Sequence, residues 1–214
     1  MDAKAEGDDV SSGWETSETL DPKKARWFAI TLTRKNAAWA FARGEPFRAI
    51  ASLEMMAVLV SIIVFAPGSQ WATSNASVSI TAHTDNQGNS FVLDSLMTTK
   101  HPLGSFLLEI AEQLEKFNCY LDLSWTPRLQ NEEADSLTNG DFHMFSMEHR
   151  SEVDLATLPF IRLPMMLATM EACFTKIGEE KDKRKAEAIA AAPLNNSRTV
   201  FLAKRAKLRA REPW

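Results

Sequence analysis

Residues 77–90 read SVSITAHTDNQGNS and carry the clearest pattern in the chain. Val78, Ile80 and Ala82 alternate with polar side chains, and this period of two predicts a strand with one buried face. The apolar pattern stops at Asp85, which is followed at once by polar residues and a glycine. Open α/β sheets bind ligands at the carboxyl ends of their strands, so Asp85 is a candidate site residue. The plainer interpretation is an Asp-Asn turn after a strand.

Glu54 is the second candidate, because it is the only charged residue between positions 49 and 67. The apolar residues around it predict a helix over residues 47–65 that packs on a sheet and is covered from outside. An unpaired carboxylate in such a helix would be costly. Glu54 therefore lies at an exposed edge, is neutral, or holds a cation, and this stretch alone leaves these alternatives open.

The elements around these acids predict an α/β class. Upstream, residues 26–33 have strand composition, residues 37–42 suit an antiparallel return strand, and residues 7–13 suit a loop. Downstream, the pattern predicts a short helix over 89–99, an amphipathic helix over 104–117, a strand over 120–126 and a helix from residue 132. Strand pairs followed by alternating helices and strands predict a mixed sheet with helices on its faces.

Composition and charge bound the function further. Residues 1–150 contain 12 Lys and Arg against 20 Asp and Glu, whereas residues 151–214 contain 12 against 8. An acidic body with a basic tail is compatible with a nucleic-acid partner. The two cysteines make neither a disulfide framework nor a zinc spacing, which favours an intracellular location, cytoplasmic or nuclear. The longest uncharged apolar run, residues 55–67, is too short to span a membrane.

Four motifs, in order along residues 2–142, resemble the ribonuclease H-like domain of retroelement reverse transcriptases. Each motif contains a candidate acid: Asp2, Glu54, Asp85 and Asp135 in turn. The motifs are Asp2-Ala3-Lys4 with Ser12-Gly13-Trp14, Ser52-Leu53-Glu54, Thr84-Asp85-Asn86, and Trp125-Thr126-Pro127 with Asn131-Glu132-Glu133-Ala134-Asp135-Ser136-Leu137. The last motif is the most specific.

The resemblance implies a ribonuclease H-like mixed five-stranded sheet flanked by helices. It also implies that Asp2, Glu54, Asp85 and Asp135 surround two Mg²⁺ ions, with Mn²⁺ as an alternative, and hydrolyse the RNA strand of an RNA–DNA hybrid. Asp8 or Asp9 is the alternative to Asp2 as the first acid. An upstream polymerase region of the same mobile element is an expected partner, and the short stretch before Asp2 suggests a fragment of a longer protein.

The predicted domains are 1–142, ribonuclease H-like, and 143–214, a helical and basic C-terminal extension that is partly disordered. Six basic residues with no acid between them lie near the end: Arg198, Lys204, Arg205, Lys207, Arg209 and Arg211. They predict either a solvated end or a segment that contacts nucleic-acid phosphates. The rival to the enzyme hypothesis is a degenerate, inactive domain that serves as a structural or nucleic-acid-binding module.

Overall fold

The structure is a computed structural model, and it describes residues 1–5, 9–16, 19–41, 49–66 and 77–190. The chain divides into two compact units, Met1–Met170 and Glu171–Trp214. Residues 143–170 therefore belong to the first unit, which contains every acid considered above. The six basic residues from Arg198 to Arg211 lie outside the described residues.

The first sheet has three antiparallel strands: β1 (Asp2–Lys4), β2 (Asp9–Trp14) and β3 (Trp27–Leu32). β2 is central, and its register pairs Ser12 with Asp2 on one side and with Ala29 on the other. β3 is buried along nearly its whole length, as its run of aromatic and branched residues predicts. The register of β2 places Ser12 beside Asp2 and Ser11 beside Ala3.

The second sheet has two parallel strands, β4 (Val78–Thr84) and β5 (Cys119–Trp125). The alternation predicted for β4 is present, because Val78, Ile80 and Ala82 are partly buried whereas the polar residues between them are exposed. Two helices, α3 (Gln87–Ser95) and α4 (Leu103–Phe117), connect the strands. Parallel strands need such a crossover connection. Asp85 thus follows β4 directly, at its carboxyl end.

Helix α2 (Ile50–Phe65) packs on β1, β2 and α4 and forms the centre of the core. Every residue from Ser52 to Val60 is buried, so the helix is covered on all sides as its composition predicts. Two shorter helices are α1 (Ala38–Phe41) and α5 (Glu132–Thr138), and α5 packs on β1 and β2. Glu54 therefore lies inside the packed part of the molecule.

The mixed α/β class is confirmed, but the five strands in the described part of the chain form two sheets rather than the one sheet that the resemblance implies. β1 has only three residues, and its hydrogen bond toward β4 runs from the Met1 amino group to the His83 carbonyl (3.0 Å). One such bond does not make a ladder, because a sheet needs successive pairs along both strands.

Two local predictions are wrong. Residues 9–14, within or next to the predicted loop, form β2, and the predicted return strand over residues 37–42 contains helix α1 instead. The chain leaves β3 through a turn in which the Asn36 side chain accepts a hydrogen bond from the Thr33 backbone (2.7 Å). Alanine favours helix after such a turn. The Trp39 ring also packs edge-on against the Phe106 ring, with 4.8 Å between the ring centroids.

The end of the first unit is held by a buried carboxylate on α4. Glu109 accepts hydrogen bonds from the backbone N–H groups of Ile161 (2.6 Å), Arg162 (2.8 Å) and Leu163 (2.8 Å). These groups begin helix α6 (Leu163–Ala190), where backbone donors have no partner within the helix. In the part of the chain that the structure describes, no helix is long and apolar enough to cross a membrane.

Candidate metal centre

Three of the four predicted acids lie together. Asp2 comes from β1, Glu54 from α2, and Asp85 from the end of β4, and one carboxylate oxygen of each lies within 4.8 Å of the other two. Asp2 and Glu54 are buried, with 5% and 7% of their surface exposed, and Asp85 is half-buried. Residues far apart in the sequence thus form one acidic cluster, which could hold a metal ion.

The helix after β4 holds the Glu54 side chain in place. The Asn89 side-chain amide donates to Glu54 Oε2 (3.2 Å) and to the Ala51 carbonyl (2.9 Å). Asn86 caps α3 by accepting a hydrogen bond from the Asn89 backbone N–H (3.2 Å). Burial raises the pKa of Glu54 to about 8 against a hydrogen bond from Asn86, and the charges of Asp85 and Asp2 add to the rise. Glu54 is therefore mostly protonated at neutral pH unless a cation offsets these charges.

Asp2 is held by α5. The Thr138 hydroxyl donates a hydrogen bond to Asp2 Oδ2 (3.1 Å), and both residues are buried. Burial, and then the charge of Asp85, raise the pKa of Asp2 above its ordinary value, while the Thr138 hydrogen bond opposes them. The cluster therefore has an electrostatic cost that a cation would relieve.

Asp85 has an oxygen that accepts no hydrogen bond from the described residues. Its Oδ1 is buried and accepts no hydrogen bond, although its backbone carbonyl accepts one from the Trp125 indole N–H (3.0 Å). Buried carboxylate oxygens without a partner are rare, because desolvation without compensation is costly. A cation ligand position is a direct explanation for such an atom, so the residues present fit a divalent ion.

Two serines of β2 fix the elements that carry the acids. The Ser11 hydroxyl donates to the Leu53 carbonyl in α2, and the Ser12 hydroxyl donates to the Ala134 carbonyl in α5, both at 3.2 Å. Neighbouring strand residues point to opposite faces, so β2 holds one helix on each face. Gly13 allows the close approach to α2, because a Cβ there would lie 2.5 Å from Ser61 Oγ.

The structure does not bring Asp135 into this cluster. Its Oδ1 accepts a hydrogen bond from Arg128 Nη2 (2.8 Å), and its Oδ2 accepts one from the Asn139 amide (3.1 Å). The side chain is 34% exposed, whereas that of Arg128 is 76% exposed. The proposed role of Asp135 as a fourth ligand stays a prediction.

The alternatives for the first acid are resolved only in part. Asp8 lies outside the described residues, and the backbone of Asp9 begins β2, opposite Leu32. Asp2 is the first acid that the structure places with Glu54 and Asp85.

Some residues of the site carried little signal in the sequence. Asn89 and Thr138 contact the acids directly, and Ser11 and Ser12 hold the helices around them. Asn89 has a weak signal, since it is a polar residue three positions after the cap of its helix. The others follow from tertiary packing alone.

The donor set determines what this cluster can do. Carboxylate oxygens are the ligands that hard divalent cations such as Mg²⁺ and Mn²⁺ prefer. The three described residues of the cluster offer only carboxylates, whereas soft or borderline metals favour thiolate or imidazole ligands. No protein-family model, curated protein or solved structure matches the chain.

Proposed function

We propose that the chain is a metal-dependent nuclease domain of the ribonuclease H type, which hydrolyses the RNA strand of an RNA–DNA hybrid. The observation that carries the proposal is that carboxylate oxygens of Asp2, Glu54 and Asp85 lie within 4.8 Å of one another, and that a buried Asp85 oxygen accepts no hydrogen bond from the described residues. The resemblance in sequence adds the substrate class and the setting, a reverse-transcriptase-type mobile element with an upstream polymerase region.

The residues divide the work as follows. Asp2, Glu54 and Asp85 would hold divalent cations, Mg²⁺ or Mn²⁺, and Asp135 would complete a set for two ions. When bound, such cations neutralise the phosphodiester charge and lower the pKa of water. To act as a ligand, Glu54 would lose its proton to solvent, and Asn89 would hold the carboxylate through its hydrogen bond to Oε2.

Trp125 offers a contact surface for a nucleic acid beside the cluster. Its side chain is 48% exposed, and its indole N–H is fixed on the backbone carbonyl of Asp85. An exposed aromatic ring held in one orientation can stack on a base whatever its sequence. This contact would place a sugar–phosphate chain near the acids.

A second candidate function is nucleic-acid binding without cleavage. It is favoured by the engagement of Asp135 with Arg128 and Asn139, which leaves three acids rather than four in the cluster. A domain with an incomplete metal site would still offer the Trp125 ring to a nucleic acid.

A cleavage assay separates the two functions. A hybrid with a labelled RNA strand is incubated with Mg²⁺ and either wild type or Asp85→Asn, with Asp94→Asn as the control because Asp94 is exposed on α3. We expect cleavage by wild type and the control and none by Asp85→Asn. Binding of the hybrid without cleavage by any of the three would favour the second function, and equal cleavage by all three would exclude Asp85 as a ligand.

A further inference from the structure

Arg128 contacts Asp135, the predicted ligand that lies outside the acidic cluster. It begins a 3₁₀ turn, Arg128–Gln130, which follows β5 and precedes α5. Its guanidinium makes the 2.8 Å ion pair with Asp135. The hydrogen bond to Asp135 and the charge of Asp135 are the main causes that raise the pKa of Arg128, and the charges of Asp2 and Asp85 add to them, so the guanidinium also senses the cluster.

Helix α5 already presents the face of Asp135 to the cluster. Thr138 stands three residues after Asp135, and its hydroxyl contacts Asp2. Residues three apart lie on the same face of a helix, one turn from each other. A rotation of the Asp135 side chain, with the helix in place, would therefore direct its carboxylate toward Asp2.

The second oxygen of Asp135 has a contact of its own. Asn139 donates its amide to Asp135 Oδ2, and its own amide oxygen accepts a hydrogen bond from Lys4 Nζ (2.9 Å). The Arg128 and Asn139 contacts of Asp135 are both exposed, and exposed polar contacts of this kind add little stability. Both contacts can therefore be released at small cost, as a rotation of the Asp135 side chain requires.

From these contacts we infer that Arg128 is a positioning residue that competes with divalent cations for Asp135. While the pair is formed, Asp135 stays outside the three-acid cluster and Arg128 offsets part of the cluster's charge. When a cation draws Asp135 in, the Arg128 guanidinium becomes free beside the site, where it can contact a phosphate. The inference rests on the proposed metal site and deepens it by assigning a role to a residue outside the three acids.

The test measures Mn²⁺ binding, by calorimetry and by counting free Mn²⁺ with electron paramagnetic resonance. Arg128→Gln should bind Mn²⁺ about three- to tenfold more tightly than wild type, because the variant cannot form the competing pair. Arg128→Lys, which keeps the charge and one donor, should restore binding close to that of wild type. Arg162→Gln is the matched control, because Arg162 forms a 2.7 Å ion pair with Glu112 that involves none of the four acids.

The double variant Arg128→Gln/Asp135→Asn identifies the route of the effect. If Arg128 acts through Asp135, its replacement changes Mn²⁺ affinity in the Asp135→Asn background by less than about twofold. An equal gain in both backgrounds would show that Arg128 acts only through its general field, and would overturn the inference. So would unchanged affinity in Arg128→Gln.

The failure of the inference is distinguishable from the failure of the metal site. If wild type binds Mn²⁺ and Asp85→Asn does not, the site stands, whatever Arg128→Gln shows. If neither wild type nor Arg128→Gln binds Mn²⁺, the metal site and the inference are both refuted. Circular dichroism and thermal unfolding of each variant confirm that the fold is retained.

Discussion

Replacement of Asp85 by Asn should make the protein more stable when a chelator is present. The change removes one negative charge from the cluster and nearly keeps the shape. Two unit charges at 4.8 Å, the upper limit on the separation of these oxygens, repel by about 3 kcal/mol at an effective dielectric constant of roughly 20. Glu54, whose pKa is raised to about 8, is mostly neutral at pH 7, so the repulsion relieved is mainly that between Asp85 and Asp2.

Relaxation around the charges reduces this figure, and we expect a net gain of about 1–3 kcal/mol in the free energy of unfolding. The buried Asp85 Oδ1 accepts no hydrogen bond from the described residues, so the substitution removes none at this atom. In a protein of this size, the gain corresponds to a rise in melting temperature of about 2–12 °C.

Urea unfolding with and without Mg²⁺ provides the assay. In chelator, Asp85→Asn should unfold at a higher urea concentration than wild type. At a Mg²⁺ concentration of roughly 1,000 times Kd, wild type should gain about 4 kcal/mol by mass action, whereas the variant should gain little. The order of stability should therefore reverse, and Asp94→Asn should follow wild type under both conditions.

Two results would refute this reasoning. A variant less stable than wild type in chelator would mean that Asp85 makes favourable contacts rather than repelling its neighbours. Equal stabilisation of both proteins by Mg²⁺ would mean that the cation binds elsewhere.

Three further predictions concern other parts of the molecule. Divalent-cation binding at pH 7 should release about 0.9 proton from Glu54, measured by calorimetry in buffers of different ionisation enthalpy. The free energy of unfolding in chelator should fall as pH rises from the ordinary carboxyl range toward about 8. Release of no proton would contradict the raised pKa of Glu54. Glu109→Gln should lower the free energy of unfolding by about 2–4 kcal/mol, because an amide cannot accept all the backbone hydrogen bonds at the start of α6. Burial alone would raise the pKa of Glu109, but these hydrogen bonds hold it below its ordinary value, so the stabilisation is present above the ordinary carboxyl pKa and is lost as pH falls through the folded pKa. Unchanged acid unfolding of the variant would argue against this role. A chain that ends at Pro193 should retain cleavage activity but bind a hybrid more weakly. The slope of log K against log salt should be reduced by about 0.9 for each duplex phosphate that the basic segment neutralises in the full chain. An unchanged slope would mean that the basic segment is only a solvated end.

The parts of the site that the sequence predicts well are those with a local pattern. β4 alternates between partly buried and exposed residues and ends directly before Asp85, as expected. Glu54 is a single charge in a helix that is buried on all sides, so its isolation in the sequence was enough to make it a candidate. In both cases, a break in an apolar pattern carried the information.

β2 could not be predicted, because its stability comes from contacts distant in sequence. Its Ser-Ser-Gly centre is poor in strand-forming residues. Ser11 and Ser12 are nevertheless fully buried and bond the carbonyls of two helices, while Gly13 makes room for α2. Only the assembled helices supply these partners, so local composition predicted a loop.

The position of Asp135 could not be predicted for a different reason. Its motif correctly places it in the first turns of α5, but the direction of its side chain depends on a balance of charges. Each acid of the cluster has its own compensation: Glu54 has a raised pKa and the Asn89 amide, and Asp2 has the Thr138 hydroxyl. A fourth carboxylate there would add repulsion, whereas Arg128 offers it an opposite charge at 2.8 Å. The direction of the Asp135 side chain depends on which positive charge binds it more favourably, the Arg128 guanidinium at the surface or a cation at the cluster. The sequence alone does not determine that balance.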